Sequence, residues 1–320
     1  MKQARGATFP TFAERLSRAR SLEAPQSALD QLPAEIAARL SHSLADRLRR
    51  VTRVGSRPGS APGDSTPAAG SCEVLASRLG GVVAAPGLVR LDTSLALPQR
   101  LGRVCIRAGS LDRPCLDALG LAVARDAADM LFIDAETSGL GTGTGTVAFM
   151  IGAARIEREA IRLTQWVLAG FSGEPAMLDA LTSVTRGCAA LASYNGKTFD
   201  VPLLRARLGL WRRPDPFVAL AHADLLHSAR RLARRLPSTP DLRLASIEDR
   251  WLGSERVGDV PGSAAPPAWR RWLTERDAQG LREILDHNRR DLIALAALTV
   301  YAGSILAGLF AQGVESTFAA

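Results

Sequence analysis

Lysine is almost missing from this 320-residue chain. Only Lys2 and Lys197 appear among 40 basic residues, and the rest are arginine. The net charge of +8 and the isoelectric point near 10.2 therefore partly reflect an arginine-biased composition. Such a positive field favours polyanionic partners, although ordinary solubility charge looks the same at this level. Cysteine is also scarce. Cys72, Cys105, Cys115 and Cys188 stand far apart and none sits in a C-x2-C pair, which argues against zinc. Four scattered thiols in a chain of this length read as a reduced, cytoplasmic protein. The opening "MKQARGATFPTFAERLS" lacks an apolar h-region, so no signal peptide is expected. One uncharged run, "LIALAALTVYAGSILAGLFA" (292–311), is long enough to span a bilayer. Much of it is Ala, Gly, Ser and Thr, and it follows directly from the polar "DHNRRD", so it reads as a core helix and no membrane partner is expected.

Phosphate-binding glycine loops are missing too. Gly196-Lys197-Thr198 resembles the end of a P-loop, but the glycine required five residues earlier is Leu191. The run "GLGTGTGT" (139–146) puts Thr144 and Thr146 at the candidate third positions of the G-x-G-x-x-G fingerprint. Neither stretch makes a nucleotide-binding fold.

What is present is a chain that is 47% hydrophobic, enough for one large or two modest cores. Residues 1–71 read as a basic helical arm followed by a linker, "SRPGSAPGDSTPAAGS", whose composition cannot bury a core. The first 70 residues hold 11 Lys/Arg against 6 Asp/Glu. A partly disordered basic extension and an extra nucleic-acid contact are both compatible with that excess. Residues 72–127 hold short apolar runs between turn signals, a small β-rich lead-in. From 128 to 320 the pattern is regular. "ADMLFIDAE", "TVAFMIGAARIE" and "AIRLTQWVLAGF" predict three strands, and "EPAMLDALTSVTRG" a helix. "AALASYNG" predicts a strand, "FDVPLLRARLGL" a helix, "FVALAHADLLH" a strand running into the helix "SARRLARRL", and "DAQGLREILDHNRRDLIALAALTVYAG" a long final helix. Three sequential strands and then alternation predict an α/β fold, a mixed sheet flanked by helices.

Asp134 and Glu136 end the first of these strands two residues apart, so they point to one face. Two carboxylates beside a buried run repel each other and lose hydration, and a divalent cation relieves both costs. A solvated strand end is the plainer reading of a bare D-x-E. Asp200 starts a helix, where the dipole alone favours a carboxylate. His287 and Asp291 stack at i, i+4 on the last helix, and Asp291 heads the long uncharged run, where a buried carboxylate needs a partner.

Taken together, the order D-x-E, "YNGKTFD" and "HNRRD" resembles the DEDD superfamily of 3′–5′ exonucleases on the ribonuclease H-like fold. More closely it resembles the bacterial YprB-type ribonuclease H-like domain. The resemblance covers about 128–303 and takes in "FIDAETSGL", "GTVAFMIG", "YNGKTFDVPLL", "HADLLHSARRL", "ERVGDVPG" and "DHNRRDLIALAAL". It implies that Asp134, Glu136, Asp200 and Asp291 ligate two catalytic ions, Mg²⁺ or Mn²⁺, and that His287 is the general base. Asn195, Lys197, Phe199, Thr137 and Leu140 fall where substrate would be contacted; a turn residue and a core aromatic are the plain readings of Asn195 and Phe199. The implied partner is nucleic acid, DNA or RNA. Departing from the superfamily, which places His five residues or Tyr four residues before the last Asp, this chain has His287 four before Asp291. A non-catalytic nucleic-acid-binding module and a ribonuclease H-like endonuclease share this fold and stay open as alternatives. Eight arginines between the second and third motifs (Arg205, Arg207, Arg212, Arg213, Arg230, Arg231, Arg234 and Arg235) could track phosphates or form a solvated helix face. Arg256 and Asp259, in "GSERVGDVPG", are expected to pair and hold a loop.

Overall fold

A computed structural model describes residues 71–139 and 145–312. The expected basic arm, all of the linker before Ser71, and Leu140 lie outside the described residues.

The described chain starts with helix α1 (Ser71–Leu79), then strands β1 (Val82–Ala85), β2 (Leu88–Ala96), β3 (Gln99–Leu101) and β4 (Val104–Ile106), and helix α2 (Arg113–Ala118). Three long strands follow: β5 (Met130–Thr137), β6 (Ala148–Ile156) and β7 (Ala160–Leu168). Helix α3 (Glu174–Thr185) leads to β8 (Ala190–Ser193), α4 (Asp200–Leu210), β9 (Ala221–Asp224), α5 (Leu225–Leu232) and the single turn α6 (Leu244–Ile247). Helices α7 (Ala265–Glu275) and α8 (Gln279–Ala311) finish the fold.

Seven strands make one mixed sheet in the order β1-β2-β7-β6-β5-β8-β9. The β1-to-β5 side pairs antiparallel, and β8 and β9 add in parallel. The fold is the mixed sheet flanked by helices that the alternating pattern predicts. The β-rich lead-in supplies two strands of this same sheet, with β2 pairing β7 from Leu88↔Leu168 to Ala96↔Ala160.

Period-two alternation sorts β5 between two cores. Leu131 and Ile133 join the cluster with α3, α4 and α7; Met130 and Phe132 join the one with α2 and α5. Nearly every residue of β6 is buried, as a central strand covered on both faces must be. Phe149 of β6 stacks on Trp269 of α7 with ring centroids 5.2 Å apart, a contact worth about 0.5–1.5 kcal/mol beyond its area. Trp269 and Trp272 also donate their indole N–H groups to the carbonyls of Leu168 and Ala169, each at 3.0 Å, where β7 runs out of partners.

Helix α8 passes from one core to the other. Leu281, Ile284 and Leu285 belong to the first, and Leu292 onward to the second. It is long and apolar enough to cross a membrane, but most of its apolar window is buried in the protein. Some expected elements are shorter than their sequence patterns: the strand in "AALASYNG" covers Ala190–Ser193, and the helix expected over "SARRLARRL" stops at Leu232. The strand in "FVALAHADLLH" is confined to Ala221–Asp224, because the Asp224 carboxylate accepts from the Leu226 amide at 3.1 Å and starts a helix there.

Candidate active site

The four carboxylates come from three elements. Asp134 and Glu136 lie at the end of β5, Asp200 is the first residue of α4, and Asp291 lies in α8. β5 irregularly shifts register against β6 between Glu136 and Thr137, so the strand leaves its ladder just after the second carboxylate. Glu136 and Asp200 are buried; Asp134 and Asp291 are partly so.

Burial and neighbouring charge both act on these carboxyls. Burial raises the Asp134 carboxyl well above the usual range, and the charges of Asp291, Glu136 and Asp200 push it further. Burial pushes Glu136 up to about 7; His287 opposes this and Asp291 and Asp200 reinforce it. Asp200 is likewise pushed up to about 7 by burial, with Asp224 adding to the rise against the pull of nearby backbone amides. The carboxylates are not drawn in as a closed ligand set. Among the described residues no group of three or more Asp, Glu, His or Cys side chains forms one.

Asp291 leans instead on Arg256, Oδ1 to Nη2 at 2.6 Å. The angle misses hydrogen-bond geometry, so both buried atoms lack a hydrogen-bond partner. Arg256 also donates to Glu248 at 2.6 Å and to Asp259 at 2.9 Å, and the Arg256–Asp259 pair expected from sequence is thus present within a larger network. Asp259 in turn meets His287 Nδ1 at 2.8 Å. Burial opposes it, yet the hydrogen bonds from His287 and Arg256 hold the Asp259 carboxyl below its ordinary value. With Nδ1 used on Asp259, His287 turns Nε2 toward Asp291, 3.7 Å from Oδ2.

Sequence reasoning missed the residue that fixes Asp134. Asn288, fully buried, donates Nδ2 to Asp134 Oδ2 at 2.7 Å and to the Asp134 carbonyl at 3.2 Å. Its own Oδ1 accepts from Gln165 Nε2 at 2.8 Å, and Gln165 also donates to the Leu285 carbonyl at 2.9 Å. Gln165 thereby settles which end of the Asn288 amide points at Asp134. Between them, Gly152 leaves room: a Cβ there would overlap Asn288 Oδ1. The signals were a lone glutamine in the apolar "LTQWVL" and the asparagine inside "DHNRRD".

The loop carrying Asn195, Lys197 and Phe199 is built round a second missed residue, Asp224. Its buried carboxylate accepts from the amides of Asn195 at 2.8 Å and Lys197 at 3.0 Å. Asn195 takes φ +60, which asparagine tolerates. Gly196 packs so tightly that a Cβ would overlap Ser193 Oγ. Lys197 and Phe199 are exposed, with Phe199 at 49%. Thr137 turns its hydroxyl onto the Gly139 carbonyl at 2.6 Å. Of the arginines expected to follow phosphates, Arg207 is buried and paired with Glu174, so it cannot do so. Arg205 and Arg213 pair with Asp215 and Asp179 at 2.7 Å.

The family model for the RNase_H superfamily matches residues 131–302, just over half of the chain and every element that carries the site. The chain belongs to the RNase_H superfamily. The chain is also 32% identical over 174 residues to the uncharacterized protein YprB of Bacillus subtilis (strain 168), covering 54% of this chain and 41% of that one. It therefore spans about two fifths of the length of this curated relative. Solved structures of exonuclease I are similar at 16% identity. One covers 57% of this chain and 43% of that one at a TM-score of 0.37. E. coli exonuclease I with a dT13 oligonucleotide covers 57% and 42% at 0.39.

Proposed function

We propose that the chain is a 3′–5′ exonuclease of the DEDD type, hydrolysing phosphodiester bonds at single-stranded ends of nucleic acid. The observation that carries this reading is the meeting of Asp134, Glu136, Asp200 and Asp291, from three elements, at one place where burial raises the first three and the charges of the others push Asp134 and Glu136 further. The donor set fits hard divalent cations. It is all oxygen and largely buried, and no cation pairs with Asp134, Glu136 or Asp200 among the described residues; Asp291 Oδ1 has no hydrogen-bond partner but lies 2.6 Å from Arg256 Nη2. These four residues would hold Mg²⁺ or Mn²⁺. Two such ions, when bound, supply activation of the attacking water and stabilisation of the leaving oxygen.

The chain's own residues do the rest. Asn288 holds one Asp134 oxygen and leaves the other to face the site. Asp259 orients His287, whose Nε2 is the proton acceptor. Asp224 shapes the loop that presents Asn195, Lys197 and Phe199, so that the exposed Phe199 ring can stack on a terminal base and Lys197 can meet a phosphate. Thr137 and Leu140 complete the proposed substrate contacts. The products are nucleoside 5′-monophosphates.

The test is digestion of 5′-labelled single-stranded DNA and RNA with Mn²⁺. The reading expects labelled products that shorten one nucleotide at a time, and loss of all cutting with excess EDTA. Internal fragments would indicate an endonuclease on this fold, and binding without cutting a non-catalytic module. Full activity in EDTA would overturn the two-ion reading.

A further inference from the structure

A cavity of about 530 Å³ opens beside α8, away from His287 and Asp291. Its walls include Arg282, Asp286 and Arg289 of α8, Arg78 of α1, Thr93 of β2 and Gln165 of β7. At about 100° per residue, Arg282, Asp286 and Arg289 share one flank of α8, and His287 and Asp291 lie roughly half a turn round, on the other flank.

Three guanidiniums face this space, and among the described residues only one of them, Arg289, pairs with a carboxylate. Asp286 is taken by Arg289 at 2.8 Å. Asp92, also on the wall, accepts from Arg90 and Thr164, each at 2.8 Å. Arg78 and Arg282 meet no carboxylate among the described residues. Arg78 donates to the Arg276 carbonyl and Arg282 to the Arg78 carbonyl. These bonds pin both side chains to backbone while each planar fork keeps other N–H groups. Two anchored, uncompensated guanidiniums with a threonine opposite make a receptor for a tetrahedral oxyanion. The volume exceeds what a bare phosphate needs and suits a nucleotide.

We propose that this cavity binds the phosphate of a nucleotide, as a second site separate from the carboxylates. At its floor, Gln165 donates to Asn288, which holds Asp134. An anion seated there lies two side chains from a catalytic carboxylate. The phosphate belongs either to a free mononucleotide or to a nucleic-acid strand.

Calorimetric titration of the full chain, freed of metal by dialysis against chelator, separates this proposal from the nuclease reading, which needs metal. The probes are inorganic phosphate, AMP and a short oligothymidylate. Wild-type protein is expected to bind at least one, and Arg78→Gln with Arg282→Gln to bind it at least about 10-fold more weakly. Those arginines also tie elements together, so Thr93→Glu provides an independent check. It leaves their backbone bonds intact and sets a carboxylate against the anion, with the same weakening expected. Weakening with phosphate and AMP identifies a free nucleotide; weakening with the oligothymidylate alone identifies the strand. Equal binding by wild type and Thr93→Glu, or no binding of any probe by wild type, overturns the proposal.

Discussion

Asn288 shows how much can hang on one amide. Its nitrogen and oxygen are both committed in a fully buried place, so either end left unpaired costs about 1–3 kcal/mol. Asn288→Ala is expected to lower stability by that order in urea melts. Asn288→Asp keeps the shape but replaces the donor facing Asp134 with an acceptor. It is expected to raise the metal concentration for half-maximal cleavage while far-ultraviolet dichroism stays native; an unchanged metal requirement would contradict the positioning role. His287→Ala acts at a different step. If Nε2 accepts the proton, kcat should fall roughly 10²- to 10⁴-fold while metal and strand binding persist. Near-normal kcat would leave His287 as only a neighbour of Asp291. In the sequence, strand period put Asp134 and Glu136 on one face and helix spacing put His287 beside Asp291, while only the family resemblance gathered Asp134, Glu136, Asp200 and Asp291 into one set. Asn288 and Gln165 were not legible there, and Asp259 was foreseen only as the partner of Arg256, since Gln165 lies 123 residues from Asn288 and Asp259 lies 28 from His287, and only the folded sheet and loop bring them together.

At the scale of elements, the segment around 248–259 is tied to α8 by charge. Arg256 is almost wholly buried and shared by Glu248, Asp259 and Asp291. Removing it leaves Glu248 buried and unpaired, and burial already pushes that carboxyl up against the pull of Arg256. Arg256→Gln is expected to cost about 3–5 kcal/mol, read as a lower urea midpoint with an unchanged slope; a loss under about 1 kcal/mol would make this an ordinary surface pair. The strands β5 to β7 and helix α8 were visible from apolar runs and period alone. The end of β9 was not, because one aspartate cap stopped the strand inside an apolar run that otherwise continues.

Across the whole molecule, the site sets a pH dependence. Glu136 and Asp200 sit near 7 in the folded chain, against about 4.3 and 3.9 for the unfolded residues. The folded state therefore holds more protons than the unfolded state between about pH 4 and pH 7, and stability falls as pH rises through that window. Their contribution is intact below about pH 4 and lost above about pH 7. A bound divalent cation offsets the loss but competes with protons for the same oxygens. Thermal melts from about pH 5 to about pH 8.5 should thus show Mn²⁺ raising Tm most at the alkaline end and little at the acid end. In metal-free protein, Glu136→Gln should flatten the decline of Tm with pH, since the residue that must lose its proton is gone. A metal-induced rise in Tm that is the same at every pH, or a Glu136→Gln profile parallel to wild type, would mean that these carboxylates are not the groups that metal and protons contest.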